Sequence, residues 1–164
     1  MPSRVDLKEV SGYYQALGKF VDTFANVEEI LFLYLYASAG VDYDAARAIF
    51  SGVRIHDAVS FIKRIAEVGK AELSAALDDV LSQLLIINDV RNLILHHPVS
   101  GRFRKGRFIR SISNIGRALT AERIKEMLIS QRILMDMEYD LFRMQVFLFH
   151  EYACLALPPI NAVR

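Results

Sequence analysis

Leu81-Ser82-Gln83-Leu84-Leu85-Ile86-Ile87-Asn88-Asp89-Val90-Arg91-Asn92-Leu93-Ile94-Leu95-His96-His97-Pro98 reads as the second half of a long apolar helix that ends in polar side chains and a proline. The helix is expected to run from about Glu72 to His97, and Pro98 stops it. Leu81 to Ile87 is apolar on most sides. Such a helix sits at the centre of a bundle or also faces a partner subunit. At about 100° per residue, Ile86, Val90, Leu93, Ile94 and His97 are expected to form one apolar stripe. Arg91, Asn92 and His96 then fall on the opposite side, with Asn92 and His96 direct neighbours at i and i+4. An arginine and an imidazole are costly on an apolar surface unless something is paired with them.

The rest of the chain extends the helical pattern. Leu17, Phe20, Phe24, Val27, Leu31 and Leu35 recur at helical spacing between Tyr13 and Ala39, and Gly40 supplies a stop. Asp42 can cap a short helix carrying Ala45, Ile49 and Phe50, which ends near Gly52. A third helix is expected from about His56 to Val68, with Val59, Ile62 and Ile65 on one face and Gly69 closing it. Thr120 can cap a long last helix from Ala121 to about Leu157, with Ile124, Leu128, Leu134, Leu141, Val146 and Phe149 as its apolar positions. Pro158 and Pro159 end it. The expected fold is all-α: an antiparallel bundle of about five helices, the first, fourth and fifth long. One domain spans 1–157, and 158–164 form a short tail.

Between the fourth and last helices the character changes. Arg102, Arg104, Lys105, Arg107, Arg110 and Arg117 lie within sixteen residues, and no acid falls between Pro98 and Leu119. Phe103 and Phe108 flank the central cations, which suggests a small basic hairpin or loop at about 101–117. Uncompensated cations with interleaved aromatics suit a phosphate backbone and stacked bases. The same segment also fits a solvated loop, or one that meets acids on another chain.

Composition narrows the classes. The 164 residues are enough for one domain with a core of its own. Hydrophobic residues make up 53% and mean hydropathy is +0.24, values that suggest further apolar surface buried in a homodimer. Net charge is only +1, so the placement of charge matters more than its total. The single cysteine, Cys154, excludes an internal disulfide and a cysteine-based zinc cluster, and its apolar neighbours suggest a buried structural thiol. No signal peptide and no membrane span are read, so a cytoplasmic protein is expected. No Gly-rich phosphate loop, metal-binding motif or Ser/His/Asp arrangement is present, and neither metal nor cofactor is expected. His56-Asp57 and His150-Glu151 are adjacent pairs pointing about 100° apart on a helix, so neither is preassembled.

The segment Arg91-Asn92-Leu93-Ile94-Leu95-His96 resembles the signature of the HEPN superfamily: an arginine, a polar residue, and a histidine four to six residues further on. His97 also satisfies the spacing, so His96 and His97 both stand as candidates. The resemblance implies a helical bundle and a metal-independent ribonuclease that joins two copies of the motif across a homodimer. It further implies a toxin or defence effector with a cognate antitoxin or regulatory partner. In that reading Arg91 stabilises the phosphoryl transition state, His96 moves protons, Asn92 orients them, and Glu28 or Glu29 of the first helix orients Arg91. Arg102, Arg104, Lys105, Arg107 and Arg110 hold the RNA. The competing reading is a non-catalytic module of the same kind that binds nucleotide, nucleic acid or protein. There Arg91 pairs with Asp89, Glu28 or Glu29, and His96 only complements the helix dipole.

Overall fold

The computed structural model describes residues 7–97, 99–104, 107–113 and 126–157, with side chains described for 10–97, 99–100, 110–113 and 127–157. The fold class is all-α. Five helices, α1 (Leu7–Ala39), α2 (Tyr43–Phe50), α3 (Ile55–Gly69), α4 (Ala75–His96) and α5 (Gln131–Ala156), account for most of these residues. One small sheet lies between α4 and α5 in the chain, formed by β1 (Val99–Arg104), β2 (Arg107–Ser113) and β3 (Glu126–Leu128). The described residues group into two compact units, residues 1–22 with 86–139 and residues 23–85 with 140–164.

The helix ends follow local chemistry. Asp42 caps α2 by accepting from Ala45 N at 3.0 Å. Ser74, two residues later than the expected start, caps α4 by accepting from Leu77 N at 3.1 Å. Gly40, with φ +65, follows α1 and supplies the left-handed turn that an L side chain resists. At the end of α3 the left-handed position falls instead on Lys70, with φ 53, while Gly69 stays helical. Lys70 N donates to Glu67 O and Ala71 N to Ala66 O, closing a Schellman motif on a lysine.

The unit of residues 23–85 and 140–164 has an apolar centre. Phe24, Val27, Leu31 and Leu35 of α1 are essentially inaccessible, as are Ala58 and Ile62 of α3, Leu81 and Leu84 of α4, and Leu141 and Leu148 of α5. Tyr36 stacks on Phe50 at 6.1 Å and meets Tyr43 edge-on at 5.7 Å, joining α1 to α2. Lys63 and Asp78 form an exposed ion pair at 2.6 Å between α3 and α4, a contact of small energetic weight.

The other unit holds the sheet. β1 and β2 form an antiparallel hairpin whose register pairs Phe103 with Phe108 and Arg104 with Arg107. The strands of the hairpin cover 99–104 and 107–113, starting before the expected 101, and residues 114–117 of the expected segment lie outside the described residues. β3 pairs with β2 on its other side, Ile112 opposite Met127. This corrects the last helix, expected from Ala121. Residues 126–128 form a strand, and α5 begins at Gln131, capped by Ser130, whose Oγ accepts from Ile133 N at 3.2 Å. Thr120 and Ile124 lie outside the described residues. Leu128, expected on the helix stripe, is a strand residue and 54% exposed.

Candidate functional site

The last turns of α4 depart from the expected orientation. The positions α4 buries are Leu77, Leu81, Leu84, Ile87, Asn88 and Ile94, whereas Ile86 is 67% exposed. The stripe expected to point inward through Ile86 is thus rotated. Arg91 follows Ile87 by four residues and Asn88 by three, so its backbone lies on the buried stripe rather than opposite it. Apolar residues occur all round this helix, so its period fits more than one inward face.

The side chain of Arg91 nevertheless turns toward its polar neighbour. Arg91 Nη1 donates to Asn92 Oδ1 at 3.0 Å, and Arg91 Nε is buried. Both residues are partly buried. His96 lies one turn beyond Asn92 on the same side of the helix, and it is exposed. His97 is partly buried and lies just past the end of α4. Arg91 and Asn92 are therefore brought together by a hydrogen bond. His96 follows Asn92 by one helical turn and is exposed. Glu28, partly buried, and Glu29, exposed, belong to the unit of residues 23–85 and 140–164, whereas the three motif residues belong to the other.

The hairpin starts three residues after His96. Its register separates the cations by position. Arg102, Arg104 and Arg107 occupy pair positions in phase with Ser100 and Ser111. Arg110 falls in the alternate phase, with Phe103, Phe108 and Ile112. Ser100 and Ser111 place their hydroxyls 3.3 Å apart on the first face. On the second, the Arg110 guanidinium lies 4.7 Å from the centroid of the Tyr13 ring of α1. Arg110 is thus a packing residue as well as a cation. Lys105 and Arg117 lie outside the described residues.

Tyr13 is the residue that sequence reasoning missed. It is 2% exposed, and its hydroxyl has no hydrogen-bond partner among the described residues. Burial pushes its phenol above the usual tyrosine range, partly offset by the Arg110 charge. The helical stripe of α1 includes position 13, but only the hairpin register shows which cation covers it.

The remaining candidates lie apart. Cys154, expected to be buried, is exposed, because the last turns of α5 leave residues 154–157 open. Its Sγ lies 3.9 Å from His150 Nε2, and His150 Nδ1 lies 3.7 Å from Glu151. No group of three or more metal-ligating side chains occurs among the described residues. Nor is any helix there long and apolar enough to cross a membrane.

No protein-family model, curated protein or solved structure matches the chain.

Proposed function

We propose that this chain is a metal-independent endoribonuclease of the HEPN type, with Arg91, Asn92 and His96 as its working residues and RNA as its substrate. The observation that carries the reading is the 3.0 Å bond from Arg91 to Asn92, which draws the guanidinium to the side of the helix where His96 is open to solvent. RNA brings its own nucleophile, the 2′-hydroxyl. A histidine, the side chain most often used as a general base, takes its proton. The 2′-oxygen bonds to phosphorus and the bond to the 5′-oxygen breaks. A second histidine, from another copy of the chain, supplies the proton to that leaving oxygen. The products are a 2′,3′-cyclic phosphate and a 5′-hydroxyl. Arg91 offsets the charge that builds on the phosphoryl oxygens. Arg102, Arg104 and Arg107, three cations in one phase of the hairpin, hold the adjacent backbone. A toxin or defence role with a cognate antitoxin or regulatory protein, in the cytoplasm, belongs to the same proposal.

The second reading is a non-catalytic RNA-binding module. The buried Nε of Arg91 favours it, because that end of the side chain is committed to the protein interior.

An RNA cleavage assay in EDTA separates the two. Wild type, Arg91→Ala, His96→Ala and His97→Ala are compared, and product ends are read for cyclic phosphate. Loss with Arg91 and His96 but not with His97 supports the enzyme. RNA binding without cleavage by the wild type supports the module.

A further inference from the structure

α5 carries two apolar stripes, and only one of them is covered. Leu134, Leu141, Met144 and Leu148 are at most 3% exposed. About 135° around the same helix lie Met135, Tyr139, Phe142, Val146 and Phe149, each between 52% and 62% exposed. The steps between these five are four, three, four and three residues, the spacing of an a/d seam whose knobs enter a facing helix. Isolated exposed apolar residues need no explanation, but five in register along more than half of one helix form a contiguous patch.

We propose that this stripe is an interface with a second copy of this chain, the two α5 helices packing antiparallel. Area is the first argument. Such side chains present roughly 150–250 Å² each in full, so five at just over half exposure offer on the order of 500 Å² per copy, or ~1,000 Å² across a symmetric pair. That meets the lower bound for a specific interface without help from other elements. Charge is the second. An antiparallel pair centred between Asp140 and Leu141 stacks Met135 against Val146 and Tyr139 against Phe142, twice over by symmetry. The flanking positions then set Asp136 beside Arg143 of the opposite copy, again twice, and both residues are exposed here. The same register brings Arg132, which is 90% exposed and 3.8 Å from Asp136, level with the opposite Phe149. A parallel pair would instead oppose Arg132 to Arg132, a like-charge contact. The 53% hydrophobic composition, high for a chain with no partner, fits the same conclusion.

The assignment does not depend on the RNA reading, and its test has no catalytic readout. Sedimentation equilibrium of the full chain at tens of micromolar is expected to give twice the 18.6 kDa monomer mass. Phe142→Asp and Val146→Asp, made at exposed positions, are expected to keep the helical circular dichroism and weaken association on the order of 100-fold, since each buries a charge at the seam. Should either lose its fold, Phe142→Ser and Val146→Ser replace it. Orientation is read by disulfide trapping in a Cys154→Ser background. Tyr139→Cys with Phe142→Cys is expected to give a covalent dimer on oxidation, and Phe142→Cys alone is not. A monomeric wild type overturns the interface. So does a dimer whose strength none of these charged or serine variants alters. Efficient trapping by Phe142→Cys alone overturns the antiparallel arrangement.

Discussion

The guanidinium of Arg110 on β2 lies 4.7 Å from the ring centroid of Tyr13 on α1, and the two fix the basic hairpin to the first helix. Cation–π contact of this kind contributes roughly 0.5–2 kcal/mol, more when water is excluded. The Tyr13 hydroxyl, buried with no hydrogen-bond partner among the described residues, works against that gain. Tyr13→Phe is therefore expected to leave stability unchanged or raise it by up to ~1 kcal/mol. Tyr13→Ala should cost about 3–5 kcal/mol. Urea midpoints decide the point. A Tyr13→Phe loss above about 2 kcal/mol would mean that the hydroxyl has a partner after all.

Alkaline pH should weaken the fold by a defined route. Tyr13 and Tyr34 both have phenols held above the ordinary range, chiefly by burial. The unfolded chain releases these protons first as pH rises, so the unfolded state binds fewer protons and stability falls. The contribution is fully present below about pH 10, the unfolded tyrosine value, and is lost as pH climbs through the folded values. Tyr13→Phe and Tyr34→Phe should each flatten this slope. Thermal melts between neutral pH and strongly alkaline pH measure it, and an unchanged slope in both variants would refute the account.

Two backbone positions offer stabilising changes. Lys70 holds φ 53, a conformation costly for a residue with a Cβ, so Lys70→Gly should add about 0.5–1 kcal/mol. Gly18 sits exposed within α1 with nothing within 4 Å of an added Cβ, so Gly18→Ala should add about as much through helix propensity. Both are read as shifts in denaturant midpoint with an unchanged slope. A fall in either midpoint contradicts the corresponding argument.

Arg91 should not tolerate lysine. The bond from Nη1 to Asn92 Oδ1 uses the guanidinium fork on a side chain whose Nε is buried, and a lysine ammonium has neither the reach nor the planar geometry. Arg91→Lys is expected to destabilise the fold by about 1–3 kcal/mol and, under the ribonuclease proposal, to abolish RNA cleavage nearly as fully as Arg91→Ala. Wild-type cleavage by Arg91→Lys would show that only the positive charge matters.

Much of this protein was legible locally. Asp42 caps α2 as its side chain dictates, Gly40 follows α1, and the arginine-rich stretch flanked by Phe103 and Phe108 is a hairpin. These outcomes depend on residues a few positions apart, where side chain and backbone decide between themselves. That Asn92 and His96 share a side of α4 follows from helix period alone. The placement of Arg91 on the buried stripe was not legible, and neither was the cover over Tyr13, because both depend on what the rest of the fold presents to them.

The sequence by itself determined five helices, their order, most of their ends and the basic hairpin, because periodicity and capping are local energies. Only the tertiary structure decided how far each helix is rotated about its axis. In α4 and α5 apolar residues lie on more than one face, so spacing is satisfied by several inward stripes. Packing then chose Ile87 over Ile86, and Leu141 and Leu148 over Phe142 and Phe149. The same holds for Glu126–Leu128. Hydrogen bonding to β2, a partner distant in sequence, took those residues from the last helix and made them a strand.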